Sequence, residues 1–228
     1  MASTAGYGEA VQSAQVILPC LNEVEGLSWV LDRLPTEIGA VVADNGSTDG
    51  SAELAARRGA QVVRVPRRGY GAACHAGLQA ATADVVAVMD ADASLDPIEL
   101  PLVLQPVLSG ARDLTVGFRR AERGAWPWHL RLANREVARR VGRQVGVRLP
   151  DVGPMRAARR MALLALDLRD RRSGYPVETV VAAAHAGWRI DGVEVSYSRR
   201  LGRSKVTGTP LGAWRAIHDM SAVFGAYR

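Results

Sequence analysis

The sequence has little of what would disclose its chemistry directly. It carries two cysteines, Cys20 and Cys74, in or beside apolar segments and without metal-ligand spacing. They read as reduced thiols of a cytoplasmic protein, which excludes a disulfide scaffold. His75, His129, His185 and His218 also lack ligand spacing and read as structural or exposed residues. No run approaches the roughly 18 apolar residues of a spanning helix. The N-terminus lacks the charged-then-apolar order of a signal peptide. The chain is therefore expected in the cytoplasm, at most peripheral to the inner face of the membrane. Neither an internal repeat nor a low-complexity segment is present.

What is there is a chain of 228 residues, 48% apolar, long enough for one large domain with a full core. The net charge of +6 conceals an asymmetry. Residues 1–111 hold 6 basic and 13 acidic groups, whereas residues 112–172 hold 16 arginines against 6 acids. Lys205 is the single lysine. A basic middle segment suits a phosphate-bearing partner such as a nucleotide sugar, a lipid phosphate or an anionic bilayer. Nucleic-acid binding would rest on this charge alone and is not expected.

The chain is organised around Val85-Val86-Ala87-Val88-Met89-Asp90-Ala91-Asp92. An apolar, β-branched run of this kind reads as a buried parallel strand. It would deliver Asp90 and Asp92 to the carboxyl edge of a sheet, where open α/β folds bind ligands. Two acids so spaced suit a divalent cation, Mg²⁺ or Mn²⁺, shared with a diphosphate. The same residues also read as a plain strand end, with Ser94, Asp96 and Pro97 opening the next helix.

Taken in order, residues 1–13 read as a mobile tail. Gln15–Pro19 is a first strand, and a helix spans Glu25 to Leu34. Ala40–Ala43 is a second strand, ending on the turn cluster Asp44-Asn45-Gly46-Ser47-Thr48-Asp49-Gly50-Ser51, with Asp49 or Ser51 capping the helix that follows. Gln61–Val65 is a third strand, and Gly69-Tyr70-Gly71 opens the next helix. Strand and helix alternate through residues 15–110, which predicts a parallel sheet of βα units.

Pro19-x-x-Asn22-Glu23, Asp44-x-Gly46-Ser47-Thr48-Asp49-Gly50, Gly69-x-Gly71 and Asp90-x-Asp92 resemble, in order and spacing, the motifs of family 2 glycosyltransferases. The branch they resemble is that of the dolichyl- and polyprenyl-phosphate sugar synthases. The likeness is dense over residues 15–117 and sparser to about residue 209. It implies a GT-A fold, a mostly parallel sheet flanked by helices. Residues 14–117 would form the nucleotide-sugar half and residues 118–209 the acceptor half, with a C-terminal helix over 210–228. The activity implied is metal-dependent, inverting transfer of a sugar from a nucleoside-diphosphate donor to a polyprenyl phosphate. The alternative acceptor is a soluble hydroxylated molecule. A nucleotidyltransferase ranks low, because Pro19–Glu23 stands where its glycine- and arginine-rich loop would be.

The resemblance also implies roles. Pro19 would turn the chain so that Asn22 and Glu23 meet the nucleoside, joined by Asp44, Asp90 and Ala91, although Asp44 equally reads as a turn former. Asp92, with Asp90, would hold the metal. Gly71 would admit backbone to a ligand or simply pack a helix closely. Arg67 and Arg68 could reach phosphate but read first as a solvated pair. After the strand Leu114–Gly117, Arg119 stands where related enzymes end a G-S-R-like segment, which makes it a candidate for the acceptor phosphate, although Phe118 departs from the pattern. Arg131 and Asn134 share a helical face in the same region. Trp126-Pro127-Trp128 reads either as a membrane-interface loop or as rings packed on the domain.

Asp151-Val152-Gly153-Pro154-Met155-Arg156 resembles the family's D-x-G segment. Asp151 is the first choice of general base for a hydroxyl acceptor, and only a positioning group for a phosphate. Glu178 is the alternative acid, or a glutamate favoured by its helix dipole. Residues 188–197 alternate as a strand or hairpin. Arg200-Leu201-Gly202-Arg203-Ser204-Lys205 resembles the R-x-G-x-S-K loop, with Arg203, Ser204 and Lys205 set to close over the donor diphosphate. Leu211, Trp214, Ile217, Met220 or Ser221, and Phe224 form a stripe whose first reading is core packing, ahead of a homodimer or membrane contact.

Overall fold

The computed structural model describes residues 14–125, 128–146, 149–202, 218–220, 222–225 and 227, without the side chains of 128–130, 144 and 145. Seven strands form one sheet in the order β3-β2-β1-β4-β6-β5-β7. They are β1 (Ala14–Cys20), β2 (Ile38–Asp44), β3 (Gln61–Arg64), β4 (Val85–Val88), β5 (Leu114–Ala121), β6 (Arg156–Arg159) and β7 (Ile190–Tyr197). The helices are α1 (Val24–Arg33), α2 (Ser51–Arg57), α3 (Tyr70–Ala80), α4 (Leu100–Leu108), α5 (Trp128–Val145), α6 (Arg160–Ala165) and α7 (Tyr175–His185).

The parallel βα part follows from the apolar runs. Along β1, Ile17 packs with Val41, Val86 and Leu78 on one face of the sheet. Val16 and Leu18 pack with Leu27, Val42 and Leu100 on the other. A strand covered on both faces has no polar side, so its sequence is continuously apolar. The path runs from β1 outward through β2 to β3, then crosses to the far side of β1 for β4. The strand order thus reverses between β1 and β4, and a crevice opens above their carboxyl ends.

Two features differ from the expected βα succession. β6 lies antiparallel between β4 and β5, pairing Val88 with Arg156 on one side and Thr115 with Ala157 on the other. Four residues bounded by arginines carry no strand signature, and Ala157 and Ala158 are buried only because both sheet faces are covered. β5 also extends four residues beyond Gly117, through Arg119 and Arg120, because it pairs in parallel with β7 all the way to Ala121. Residues 190–197 accordingly form a single strand. Phe118, the departure from the family pattern, has its ring against Gly192 of β7.

Trp126, Pro127, Arg203, Ser204, Lys205, Leu211, Trp214, Ile217 and Ser221 lie outside the described residues, as does the side chain of Trp128. Of the C-terminal stripe, Met220 and Phe224 pack beside buried Val223 on the main core cluster, so these positions are spent on the domain itself. Among the described residues no helix is long and apolar enough to cross a membrane.

Candidate functional site

A cleft of about 680 Å³ opens at the switch point between β1 and β4. Glu23 and the chain after β1, together with Asp90, Ala91 and Asp92 after β4, form one end. Arg119, Asn134 and Tyr197 form the opposing wall, and Arg200 spans Glu23 and Asp92 at the first end. Arg172 and Asp219, an ion pair at 3.2 Å, close the far rim.

The acids at the first end are held in defined states. Asp92 is 6% exposed. Its Oδ1 accepts from the Ser94 amide at 3.0 Å and from the Ser94 hydroxyl at 2.6 Å. Its Oδ2 is 3.2 Å from Arg200 Nη1. The backbone beneath it is fixed by a glycine: a Cβ on Gly26 of α1 would stand 2.8 Å from the Asp92 Cα and from the Ala91 carbonyl oxygen. Burial and the neighbouring charge of Asp92 push the Asp90 carboxyl up to about 6, against the opposite pull of Arg119 and Arg156. Two like charges brought together at a partly desolvated edge favour a cation between them.

A divalent ion suits these donors. Asp92 Oδ2 and the Asp90 carboxylate are hard oxygen donors of the kind Mg²⁺ and Mn²⁺ take. Among the described residues no group of three or more His, Cys, Asp or Glu could form a protein-only cage. The donor set therefore suits an ion that completes its shell with diphosphate oxygens and water.

The turn motifs of the first half are spent on building the cleft. Asn22, at φ 54°, accepts from the Thr48 amide at 2.7 Å, while its own amide donates to Ser47 Oγ at 2.9 Å. Asp44 Oδ1 accepts from the Ser47 amide at 3.0 Å and is buried. Asp49 accepts from the Val24 amide at 3.0 Å through one oxygen and from Ser51 through the other, so it ties α2 to α1; the N-cap position of α2 itself is Gly50, not the expected Asp49 or Ser51. Neither Asn22 nor Asp44 reaches the cleft wall; Pro19, Glu23, Asn45 and Arg68 do. Asn45 Oδ1 accepts from the Gly69 backbone amide at 2.8 Å, a role that its place in the turn cluster does not disclose.

The glycine pair opening α3 has a packing role. The amides of Gly71 and Ala72 donate to the carbonyls of Arg172 and Arg171, each at 2.9 Å. A Cβ on Gly71 would stand 2.9 Å from that same backbone. The expectation that Gly71 admits a ligand is corrected accordingly: the close approach is from residues 170–172, and the helix start has no amide left over at these two positions.

On the opposing wall, Arg119 Nε and Nη2 donate to Asp151 at 2.8 and 2.7 Å, and Nη2 also reaches Asn134 Oδ1 at 3.2 Å. Its guanidinium lies 5.4 Å from the Tyr197 ring centre. Burial works against the Arg119 charge, but the Asp151 bonds outweigh it and leave its pKa above the ordinary value. Asp151 is 4% exposed and sits behind Arg119, which faces the cleft. Arg131 is exposed on α5 and does not join Asn134 at the wall.

Glu178 is likewise away from the cleft. Its carboxylate accepts from the amides of Arg169 and Asp170 at 2.9 and 2.7 Å and from Tyr227 OH at 3.1 Å. The acceptor-side role expected of it is corrected to that of a buried clasp for the loop before α7. Cys20 and Cys74 are both buried, and burial pushes their thiols up to about 11 and about 12, which leaves them protonated.

Comparison with known proteins agrees with this fold. Residues 14–166 match the family described as Glycosyl transferase family 2. An uncharacterised glycosyltransferase of Mycobacterium tuberculosis is 49% identical over 93% of this chain and 96% of its own. The polyprenol monophosphomannose synthase of Mycolicibacterium smegmatis is 33% identical, over 88% of this chain and 83% of that one. Among solved structures, glucosyl-3-phosphoglycerate synthase from M. tuberculosis, in complex with Mn²⁺, UDP and glucosyl-3-phosphoglycerate, superposes with a TM-score of 0.73. The match covers 99% of this chain and 86% of that one at 23% identity, a likeness of fold.

Proposed function

Because this chain belongs to glycosyl transferase family 2, we propose that it transfers a sugar, with inversion, from a nucleoside-diphosphate donor to a polyprenyl phosphate. One observation carries the reading: a single cleft has paired acids at the switch point and a braced arginine facing them from the opposing wall. Asp92 through Oδ2, with Asp90, is the pair suited to a divalent cation. Bound there, Mg²⁺ or Mn²⁺ acts as a Lewis acid towards the charge that builds on the departing nucleoside diphosphate.

The rest is the work of this chain's residues. Pro19, Glu23 and Asn45 border the space suited to the nucleoside. Arg203, Ser204 and Lys205 are assigned, on their motif alone, to close over the diphosphate. Arg119 is suited to the acceptor phosphate, because its guanidinium is already oriented by the two bonds to Asp151. A phosphate is ionised at neutral pH, so its oxygen needs no general base, and Asp151 acts through Arg119 as a positioning residue. The phosphate oxygen bonds to the anomeric carbon as the bond from that carbon to the donor diphosphate breaks on the opposite face.

A lipid acceptor is favoured by the relatives named for polyprenol and undecaprenyl phosphate, at 33% and 32% identity. The exposed face of α5, with Leu132 among Arg131, Arg135, Arg139 and Arg140, suits peripheral contact with an anionic bilayer at the cytoplasmic side. The test is incubation with radiolabelled nucleoside-diphosphate sugars, Mn²⁺ and undecaprenyl phosphate, followed by organic extraction. Label in the organic phase is expected. Label that stays aqueous and moves onto phosphoglyceric acid would reassign the acceptor to the soluble class.

A further inference from the structure

Resting on the donor and cation reading above, we propose that Arg200 is an internal stand-in for the divalent cation, which makes metal binding dependent on the nucleoside diphosphate. The Arg200 guanidinium bridges the two loops of the switch point. Nη2 is 2.7 Å from Glu23 Oε1, and Nη1 is 3.2 Å from Asp92 Oδ2. Asp92 Oδ1 is committed to Ser94, so Oδ2 is the oxygen that a metal would take, and Arg200 covers it. One positive charge thus lies where the ion would bind.

The contact is built to be exchanged. At 3.2 Å the bond to Asp92 is longer than the 2.7–2.9 Å usual for a charge-assisted pair. The Nε–H of Arg200 is buried and has no partner among the described residues, so its donors are not all satisfied in this state. The backbone around it is fixed on the Asp92 segment, with the Ser198 amide 2.9 Å from the Ser94 carbonyl and the Leu201 amide 2.9 Å from the Asp92 carbonyl. Releasing Oδ2 therefore takes a side-chain rotation and no displacement of the strand exit. A cation arriving alone must evict the guanidinium and leave it only Glu23. A cation arriving with a diphosphate offers the guanidinium phosphate oxygens in return. The two ligands then bind with positive coupling.

The test is Mn²⁺ affinity of the full chain, read from the EPR signal of free Mn²⁺, with no nucleotide and with UDP or GDP. It is run on the wild type, Arg200→Gln and Arg200→Lys. The wild type is expected to bind Mn²⁺ alone weakly and at least tenfold more tightly with one nucleotide. Arg200→Gln should bind Mn²⁺ alone about tenfold more tightly than the wild type, equivalent to about 1.4 kcal/mol, and lose most of the coupling. Arg200→Lys should fall between them, since one ammonium does not span both carboxylates as the planar fork does. Arg200 variants with unchanged affinity for Mn²⁺ alone, while a nucleotide still tightens binding in all three proteins, would overturn this role and leave the functional reading standing. Mn²⁺ binding that no nucleotide alters in any of the three proteins would overturn both.

Discussion

The two walls of the cleft use polar side chains in opposite ways. On the side of β1 and β2, Asn22, Asp44, Asn45 and Asp49 spend their side chains on backbone amides and carbonyls of adjacent loops. On the other side, Arg119 is held by Asp151 and turns its charge to the cleft, while Arg200 spans Glu23 and Asp92 of the first wall. The first wall is a backbone shape fixed by small polar residues, and Asp90 and Asp92 are its chemical groups. The second wall is charge fixed by an acid. This division gives a physical sense to the acidic first half and the arginine-rich middle of the chain.

The largest effect is expected at the acids of the first wall. Asp92→Ala should lower transfer by roughly 10³-fold, the scale of losing a principal electrostatic stabiliser of a leaving group. Initial rates at saturating Mn²⁺ measure it. Next in size, Arg119→Gln leaves Asp151 nearly buried without its counter-charge and keeps the bond from the residue-119 backbone amide. The expected cost is about 3 kcal/mol of stability, since the uncompensated charge dominates. Denaturant unfolding measures that cost, and the KM for the acceptor should rise while that for the donor holds.

The first wall should respond to backbone chemistry instead. Asn22→Ala removes the bond to the Thr48 amide and puts a Cβ-bearing residue without that bond at φ 54°. A loss of about 2 kcal/mol is expected. Asn22→Gly, free of the steric penalty, should lose less. A larger loss for the glycine variant would show that the conformation is not what the asparagine serves.

The effect of pH has two signs. With its carboxyl raised from the ordinary 3.8 to about 6, Asp90 keeps a proton in the folded state that the unfolded chain releases. Stability should therefore rise as pH falls from about 6 towards 4, and the full cost of the shift is present above about 6. Cation and donor binding runs the other way, because it needs the carboxylate. Affinity should drop about tenfold between pH 7 and pH 5. Melting curves and nucleotide titrations at the two pH values separate these trends.

Much of this architecture was legible in the sequence, for reasons that can be stated. The continuous apolar runs of β1, β2 and β4 belong to strands covered on both faces, and a following Asp-x-Asp can only fall at their carboxyl edge. β6 was hidden because Arg-Ala-Ala-Arg gains its strand character from the neighbours β4 and β5. The packing role of Gly71 depends on residues 170–172, about a hundred positions on, and no local pattern points to them. The Arg200–Glu23 pair spans 177 residues for the same reason. Glu178 looked reactive as an acid at a helix start, yet the loop before it returns two backbone amides to its carboxylate. Spacing along a chain reports what one element presents, whereas the contacts that decide a polar residue's role here come from other elements.

The most direct test of the divided cleft is thermal stability with UDP, GDP, TDP, ADP and CDP, each with and without Mn²⁺, for the wild type, Asp92→Ala and Arg119→Gln. A ligand that binds only the folded state raises the transition by mass action. A metal-dependent shift with one nucleotide is expected in the wild type, the same shift above its own baseline in Arg119→Gln, and none in Asp92→Ala. No shift with any nucleotide in the wild type, or equal loss in both variants, would contradict the divided cleft.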